Sequence, residues 1–378
     1  MVRAPNWVGD AVMALPALRE LRRIFADAEI TLVARPWVAG LFEGEGLADN
    51  LIAVSDSKGI FQATSNFIND ARQLRHERFD LAVLLQNAFG AALLARVGGA
   101  KRIAGYATDR RGALLDDVIP FEPNHKTRHQ VRYYLNVAAA LEQAFTGEAR
   151  VDFEATPQLR ISDKLRERGR LILEDALARR DAETGKRDGA TGRRGDGAGR
   201  LPVSPSPRLS VSPSRLLALS PGATNSRAKR WLSERFASTA DRVAERNGFQ
   251  TVIVGTTGDV EVANEVASRM RSDAVVLAGR TSIADLKAIL ACTSLVISND
   301  TGTAHVSAAL GVPTVVVFGP TEHFSTRPLS EVARVVRHDV ECSPCMLRDC
   351  PIDHRCMTRI EVDDVYSAAQ GLLISAAR

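Results

Sequence analysis

Short, mostly apolar runs alternate along the chain with longer segments that carry one apolar face. Ile30–Val33, Leu51–Val54 and Leu81–Leu85 are the runs of the first half; Leu216–Leu219, Thr251–Val254, Leu295–Ile297 and Thr314–Phe318 are those of the second. Such runs predict strands buried on both faces. Between them, Leu15, Leu18, Leu21 and Ile24 recur at helical spacing, a polar helix ends near Glu77, and an amphipathic helix runs from Arg128 towards Phe145. In the second half a helix is expected from Trp231 to Asn247 with Gly248 as its stop. Ser282-Ile283-Ala284-Asp285 has the capping-box pattern for a helix through Cys292, and Val306–Leu310 ends at Gly311. Strands alternating with helices imply βαβ units and parallel sheets. The chain opens almost directly on a helix. Either the first strand is clipped, or the assigned start lies a few residues late.

After Leu159 a charged helix gives way to a Gly/Arg-rich and then Ser/Pro-rich stretch, 185–214, which cannot bury enough apolar surface to offset its ordering entropy. It is expected to be a disordered insert between two α/β domains, with boundaries at 1–178, 179–215 and 216–378. The last helix is left free to pack back on the first domain.

The turns after the strands hold the chemistry. Leu295-Val296-Ile297 runs into Ser298-Asn299-Asp300-Thr301-Gly302-Thr303-Ala304-His305, a strand feeding a glycine turn into a helix start. Such a turn aims backbone N–H groups and a positive dipole end at one spot, which suits a phosphate. Ser220 and Thr224 follow the Leu216 strand, and Lys229 stands just before a helix. Hydroxyls, amides and one ammonium are a diphosphate's natural partners. Asp259 and Glu261, after another strand, are placed either for a ribose diol or as helix caps. In the first half Asp10 sits at a helix start as N-cap or general base. Gln86, Asn87, Arg110, Arg111, His129 and Arg132 form the candidate set for an anionic sugar acceptor, with ordinary surface charges as the alternative.

The run Pro5-Asn6-Trp7-Val8-Gly9-Asp10, together with Ser220-Pro221-Gly222-Ala223, Ala228-Lys229-Arg230-Trp231, Asn299-Asp300-Thr301-Gly302 plus His305, and Phe318-Gly319-Pro320-Thr321, resembles the ADP-heptose:lipopolysaccharide heptosyltransferases, in their type II form. The resemblance spans nearly everything outside 185–214. It implies a GT-B fold: two Rossmann-like domains facing a cleft, acceptor on the N-terminal one and donor on the C-terminal one. It implies Asp10 as catalytic aspartate, Lys229 at the donor phosphates, and Asp300, Thr301, Gly302 and His305 in the donor turn. It further implies inversion at the anomeric carbon, the donor ADP-L-glycero-D-manno-heptose, no required cofactor, and a cytoplasmic enzyme at the inner face of the inner membrane. A GT-B transferase for another nucleotide sugar or acceptor, and a non-catalytic nucleotide-binding protein of envelope assembly, stay open.

Charge adds little. The net +4 sits in the insert region: Arg179–Arg215 holds nine basic and four acidic residues, which leaves 40 and 41 for the rest. A nucleic-acid partner is therefore not expected. Cys342, Cys345, Cys350 and Cys356, with His338 and His354 nearby, lack the second CxxC of a zinc ribbon; no metal is assigned, and a structural one stays open.

Overall fold

The computed structural model describes residues 1–55, 60–190 and 216–376. Each half is built on a six-stranded, wholly parallel sheet. The first holds β1 (Val2–Arg3), β2 (Thr31–Ala34), β3 (Asn50–Ala53), β4 (Leu81–Leu84), β5 (Arg102–Gly105) and β6 (Asp117–Val118), in the order β3-β2-β1-β4-β5-β6. The second holds β7 (Leu216–Ser220), β8 (Gln250–Ile253), β9 (Ala274–Val276), β10 (Leu295–Asn299), β11 (Thr314–Val317) and β12 (Ala333–Val336), in the order β12-β11-β10-β7-β8-β9. Counted within its own half, each sheet repeats the doubly wound order. The chain reverses direction of travel between β1 and β4, and again between β7 and β10. Ligands of open α/β sheets bind at such points.

The first strand is present, and it is central. Two residues suffice because both neighbours hold it: Val2 pairs with Leu32 and Val83, and Arg3 with Val33 and Leu84. The strands expected from apolar runs all appear within a residue or two of their predicted ends. β7, β10 and β11 are buried at every position, as strands covered by helices on both faces must be.

The two halves share one apolar core, in which Leu15, Leu18 and Leu135 lie with Ile289, Leu290 and Val306. One fully buried ion pair crosses it: Lys287 Nζ lies 2.6 Å from Glu45 Oε1. The pair is tolerated because its other bonding capacity is filled. Lys287 also donates to the carbonyls of Leu41 and Glu43, and Glu45 accepts from the Arg160 amide at 3.0 Å.

Two expectations change. The helix Asp163–Ala190 continues past Gly185, and the rest of the expected disordered insert, 191–214, lies outside the described residues. The last helix, Val362–Ala376, does not return to the first half: its Val365, Ala369 and Leu372 belong to the second sheet's core.

Candidate active site

At the second switch point, Asn299 ends β10 fully buried, and its amide ties three segments together. Nδ2 donates to the carbonyls of Pro221 and Gly222 at 2.7 and 3.3 Å, and Oδ1 accepts from the Trp231 amide at 3.0 Å. The turn after β7 and the loop carrying Lys229 are thereby fixed against the glycine turn. Asn299→Ala removes all three bonds and leaves the buried Trp231 N–H unpaired. It should cost about 1–3 kcal/mol, read as a lower midpoint in chemical unfolding.

Lys229 closes a short turn, Arg227–Lys229, and places its Nζ 2.7 Å from Asp300 Oδ2. The Thr321 hydroxyl donates to the same oxygen at 2.7 Å. Ser220 Oγ donates to Thr303 Oγ1 at 3.1 Å, and Thr301 Oγ1 lies 3.1 Å from Ser298 Oγ. Gly302 then opens the helix Gly302–Ala309, whose first-turn amides have no partners within the helix. Lysine, hydroxyls and free amides thus share one corner. Thr224 lies beside it, exposed.

From the other half, the helix Val8–Met13 approaches this corner. A Cβ on Gly302 would come within 2.7 Å of Val8 Cβ, so glycine is what allows the two helix starts to touch. Gly9 lies under the His305 ring, where an added Cβ would stand 3.0 Å from Cδ2. Burial pushes the His305 imidazole down to about 4, so it is neutral at neutral pH. Arg3, itself buried, braces the approach: Nη1 donates to the Ala4 and Val33 carbonyls and Nη2 to Asn6 Oδ1 at 2.8 Å. Trp37 Nε1 donates to the Asn6 carbonyl at 2.8 Å.

Asp10 stands in the first turn of this helix. Burial holds its carboxyl above the usual carboxylate range, opposed by a hydrogen bond from Tyr134 (3.3 Å to Oδ1) and by the charge of Lys229. A half-desolvated carboxylate of raised basicity that senses a cation across a domain junction is equipped to accept a proton.

The remaining expected residues divide. Asp259 is a helix cap: its Oδ2 accepts from the Thr256 amide and hydroxyl at 2.9 and 2.7 Å, and its carboxyl lies against Gly222, where a Cβ would come within 2.2 Å of Oδ1. Glu261 is exposed in the first turn of Val260–Arg269. Arg111 leaves the acceptor set. It is fully buried, and its donors go to the Tyr106 and Gln86 carbonyls and to Asn87 Oδ1, so it braces the ends of β4 and β5. Arg132 is already paired with Glu122 at 2.7 Å and Glu154 at 3.3 Å. His129 caps the helix Gln130–Thr146 through Nδ1 and reaches the Arg327 carbonyl of the other half, 2.8 Å from Nε2. Gln86 is half-buried, while Asn87 and Arg110 are exposed at the carboxyl edge of the first sheet. Asn299, Thr321 and Tyr134 were not among the expected site residues. The first two sit inside recognisable motifs, but nothing in the sequence marks Tyr134.

The cysteine segment lies behind the Lys229 loop. Ala228 donates to the Arg348 carbonyl at 2.9 Å, and the His354 ring meets the Ala228 carbonyl at 2.6 Å. Burial, then the nearby Cys342, Cys345 and Cys350, push the Cys356 thiol up to about 11. Among the described residues no group of three or more His, Cys, Asp or Glu side chains is arranged to hold a metal ion.

The profile of glycosyltransferase family 9 (heptosyltransferase) matches residues 69–355. The chain is 27% identical to lipooligosaccharide heptosyltransferase 2 of Campylobacter jejuni, over 98% of this chain and 97% of that protein. It is 26% identical to lipopolysaccharide heptosyltransferase 2 of Escherichia coli K12, over 89% and 87%. Among solved structures, E. coli ADP-heptose LPS heptosyltransferase II superposes with a TM-score of 0.75 at 22% identity, covering 100% of this chain and 99% of that one. A family 9 glycosyl transferase of Veillonella parvula gives the same score at 22% identity, covering 99% and 96%. The paired parallel sheets are therefore the GT-B arrangement, and with three quarters of its length inside the family's profile the chain belongs to glycosyltransferase family 9, the heptosyltransferases.

Proposed function

We propose that the protein transfers L-glycero-D-manno-heptose from ADP-L-glycero-D-manno-heptose to the heptosylated inner core of lipopolysaccharide, with inversion. The observation that carries this reading is the contact of the two helix starts, Val8 against Gly302 and Gly9 under the His305 ring, which sets the helix turn bearing Asp10 on one half against the turn bearing the Lys229–Asp300 pair on the other. The relatives, named heptosyltransferase 2 of lipopolysaccharide or lipooligosaccharide, support the transferred sugar and the acceptor, and the superposing E. coli ADP-heptose LPS heptosyltransferase II supports the donor.

In this reading the second half holds the donor. Lys229 and the amides at Gly302 and Thr303 lie against the diphosphate, Asp300 and Thr321 orient the lysine, and Thr224 and Glu261 are the exposed polar groups left to meet the rest of the nucleotide. The acceptor lies on the first half, near Asn87 and Arg110. As the acceptor oxygen bonds to the anomeric carbon, the bond from that carbon to the ADP oxygen breaks. Asp10 takes the acceptor's proton, and the charge gathering on the departing diphosphate meets Lys229 and the helix start. No described helix is long and apolar enough to cross a membrane. The acceptor itself would bring the enzyme to the membrane's inner face.

Mass spectrometry of products from ADP-heptose offered with heptosylated and with unheptosylated Kdo-lipid A tests the reading. A single mass gain of one heptose on the heptosylated acceptor is expected, and gain on the other acceptor alone would move the protein to the preceding step. In a thermal-shift panel, ADP-sugars near a hundred times their dissociation constant should raise the midpoint by a few degrees and UDP-sugars should not. The reverse ranking would favour another nucleotide sugar.

A further inference from the structure

We propose that Tyr134 is the positioning residue of Asp10, its hydroxyl occupying one carboxylate oxygen so that the other is presented to the acceptor as the proton's destination. The inference rests on the reading of Asp10 as the base. Its own grounds are geometric.

Tyr134 lies in the second turn of the helix Gln130–Thr146, and the His129 cap fixes where that helix starts. Its ring is buried and meets Tyr133 edge-on, with centroids 5.7 Å apart. Tyr133 is held in turn: Tyr106 lies against it at 4.3 Å, and Asn87 Nδ2 donates to its hydroxyl at 2.6 Å. An aromatic wall anchored at both ends thus sets where the Tyr134 hydroxyl points. It points at Asp10 Oδ1, 3.3 Å away. Burial keeps this phenol protonated well above its usual range, so it is a donor throughout the working pH of the enzyme. Oδ1 is occupied and Oδ2 remains. The groups acting on Asp10 are Tyr134 from that helix and Lys229 from its loop, while His305 packs on the neighbouring Gly9 and is neutral above about pH 4.

The hydroxyl also favours the ionised form of Asp10 against the effect of burial. Tyr134→Phe keeps the ring and deletes the donor. Its acid limb in kcat/KM should move to higher pH. On the acid side it should run roughly five- to tenfold below wild type, the size of one ordinary hydrogen bond, and converge with wild type at high pH. Affinity for ADP by calorimetry should not change. Substituting 3-fluorotyrosine for all four tyrosines leaves every ring in place and makes the hydroxyl a stronger donor, so the limb should move to lower pH. A limb that stays put in the fluorotyrosine enzyme overturns the proposal, as does a Tyr134→Phe enzyme that binds ADP with an unmoved limb. If Tyr134→Phe fails to bind ADP, the fluorotyrosine enzyme decides alone. Turnover retained by Asp10→Asn is a separate failure, because it removes the base itself.

Discussion

Asp10→Asn should lower the rate of heptose transfer by about 10²–10⁴-fold while ADP affinity stays close to that of the unaltered protein. Asparagine keeps the shape of the side chain and an oxygen for the Tyr134 hydroxyl at the position now 3.3 Å away, so the surroundings need not rearrange. What disappears is the basic oxygen. Donor binding should be spared because the groups proposed to meet the diphosphate, Lys229 and the start of the helix at Gly302, lie on the other half. Stability gives an independent check. Burial raises the folded-state pKa of Asp10, so the folded state holds the ionised carboxylate less favourably than the unfolded chain does. The native protein binds the proton more readily, and this group's contribution therefore falls as pH rises through its folded pKa. Asp10→Asn should be as stable as wild type at neutral pH, or more so. Loss of activity together with loss of melting temperature would point to a structural role. Unchanged turnover would end the assignment of Asp10 as base.

The contrast between what the sequence foretold and what it hid follows from burial. β7, β10 and β11 are apolar at nearly every position because helices cover both faces, so they stand out as runs. β5 and β6 do not, since Arg102 and Asp117 on these outer strands pair across them at the surface and break the apolar signal. The two-residue β1 is invisible by length alone. It is fixed by partners at Leu32 and Val83, far away in sequence.

The site divides along the same line. The turn Asp300-Thr301-Gly302 was legible as a turn between a strand and a helix start, the order in which a chain can offer amides to a phosphate. Arg111 and Arg132 show what the sequence hides: residue type records that a guanidinium is present, but not that Gln86, Asn87 and Tyr106, or Glu122 and Glu154, already bond to it. Tyr134 was missed because an inward-facing aromatic on an amphipathic helix looks like core. Only the fold shows that Asp10 is what it faces.

Lys229→Ala should weaken ADP binding by roughly 10–100-fold and lower kcat/KM by about 10²–10³-fold. An ammonium carries three donors, and here Asp300 takes one at 2.7 Å and a second weakly through its carbonyl at 3.4 Å. The third is free, so a donor phosphate can be met without breaking the pair. Alanine removes that contact and also leaves the buried Asp300 carboxylate with the Thr321 hydroxyl in place of a cation. A bare negative charge at the mouth of the turn then repels the diphosphate. The two effects separate in a double variant. Asp300→Asn with Lys229→Ala removes the repulsion but not the missing cation. Its ADP affinity should recover part of the loss, while kcat stays low because the leaving group still departs uncompensated. Full recovery of kcat in the double variant would mean that Lys229 serves only to neutralise Asp300, and the departing diphosphate would then have to rely on the amides of the helix start alone.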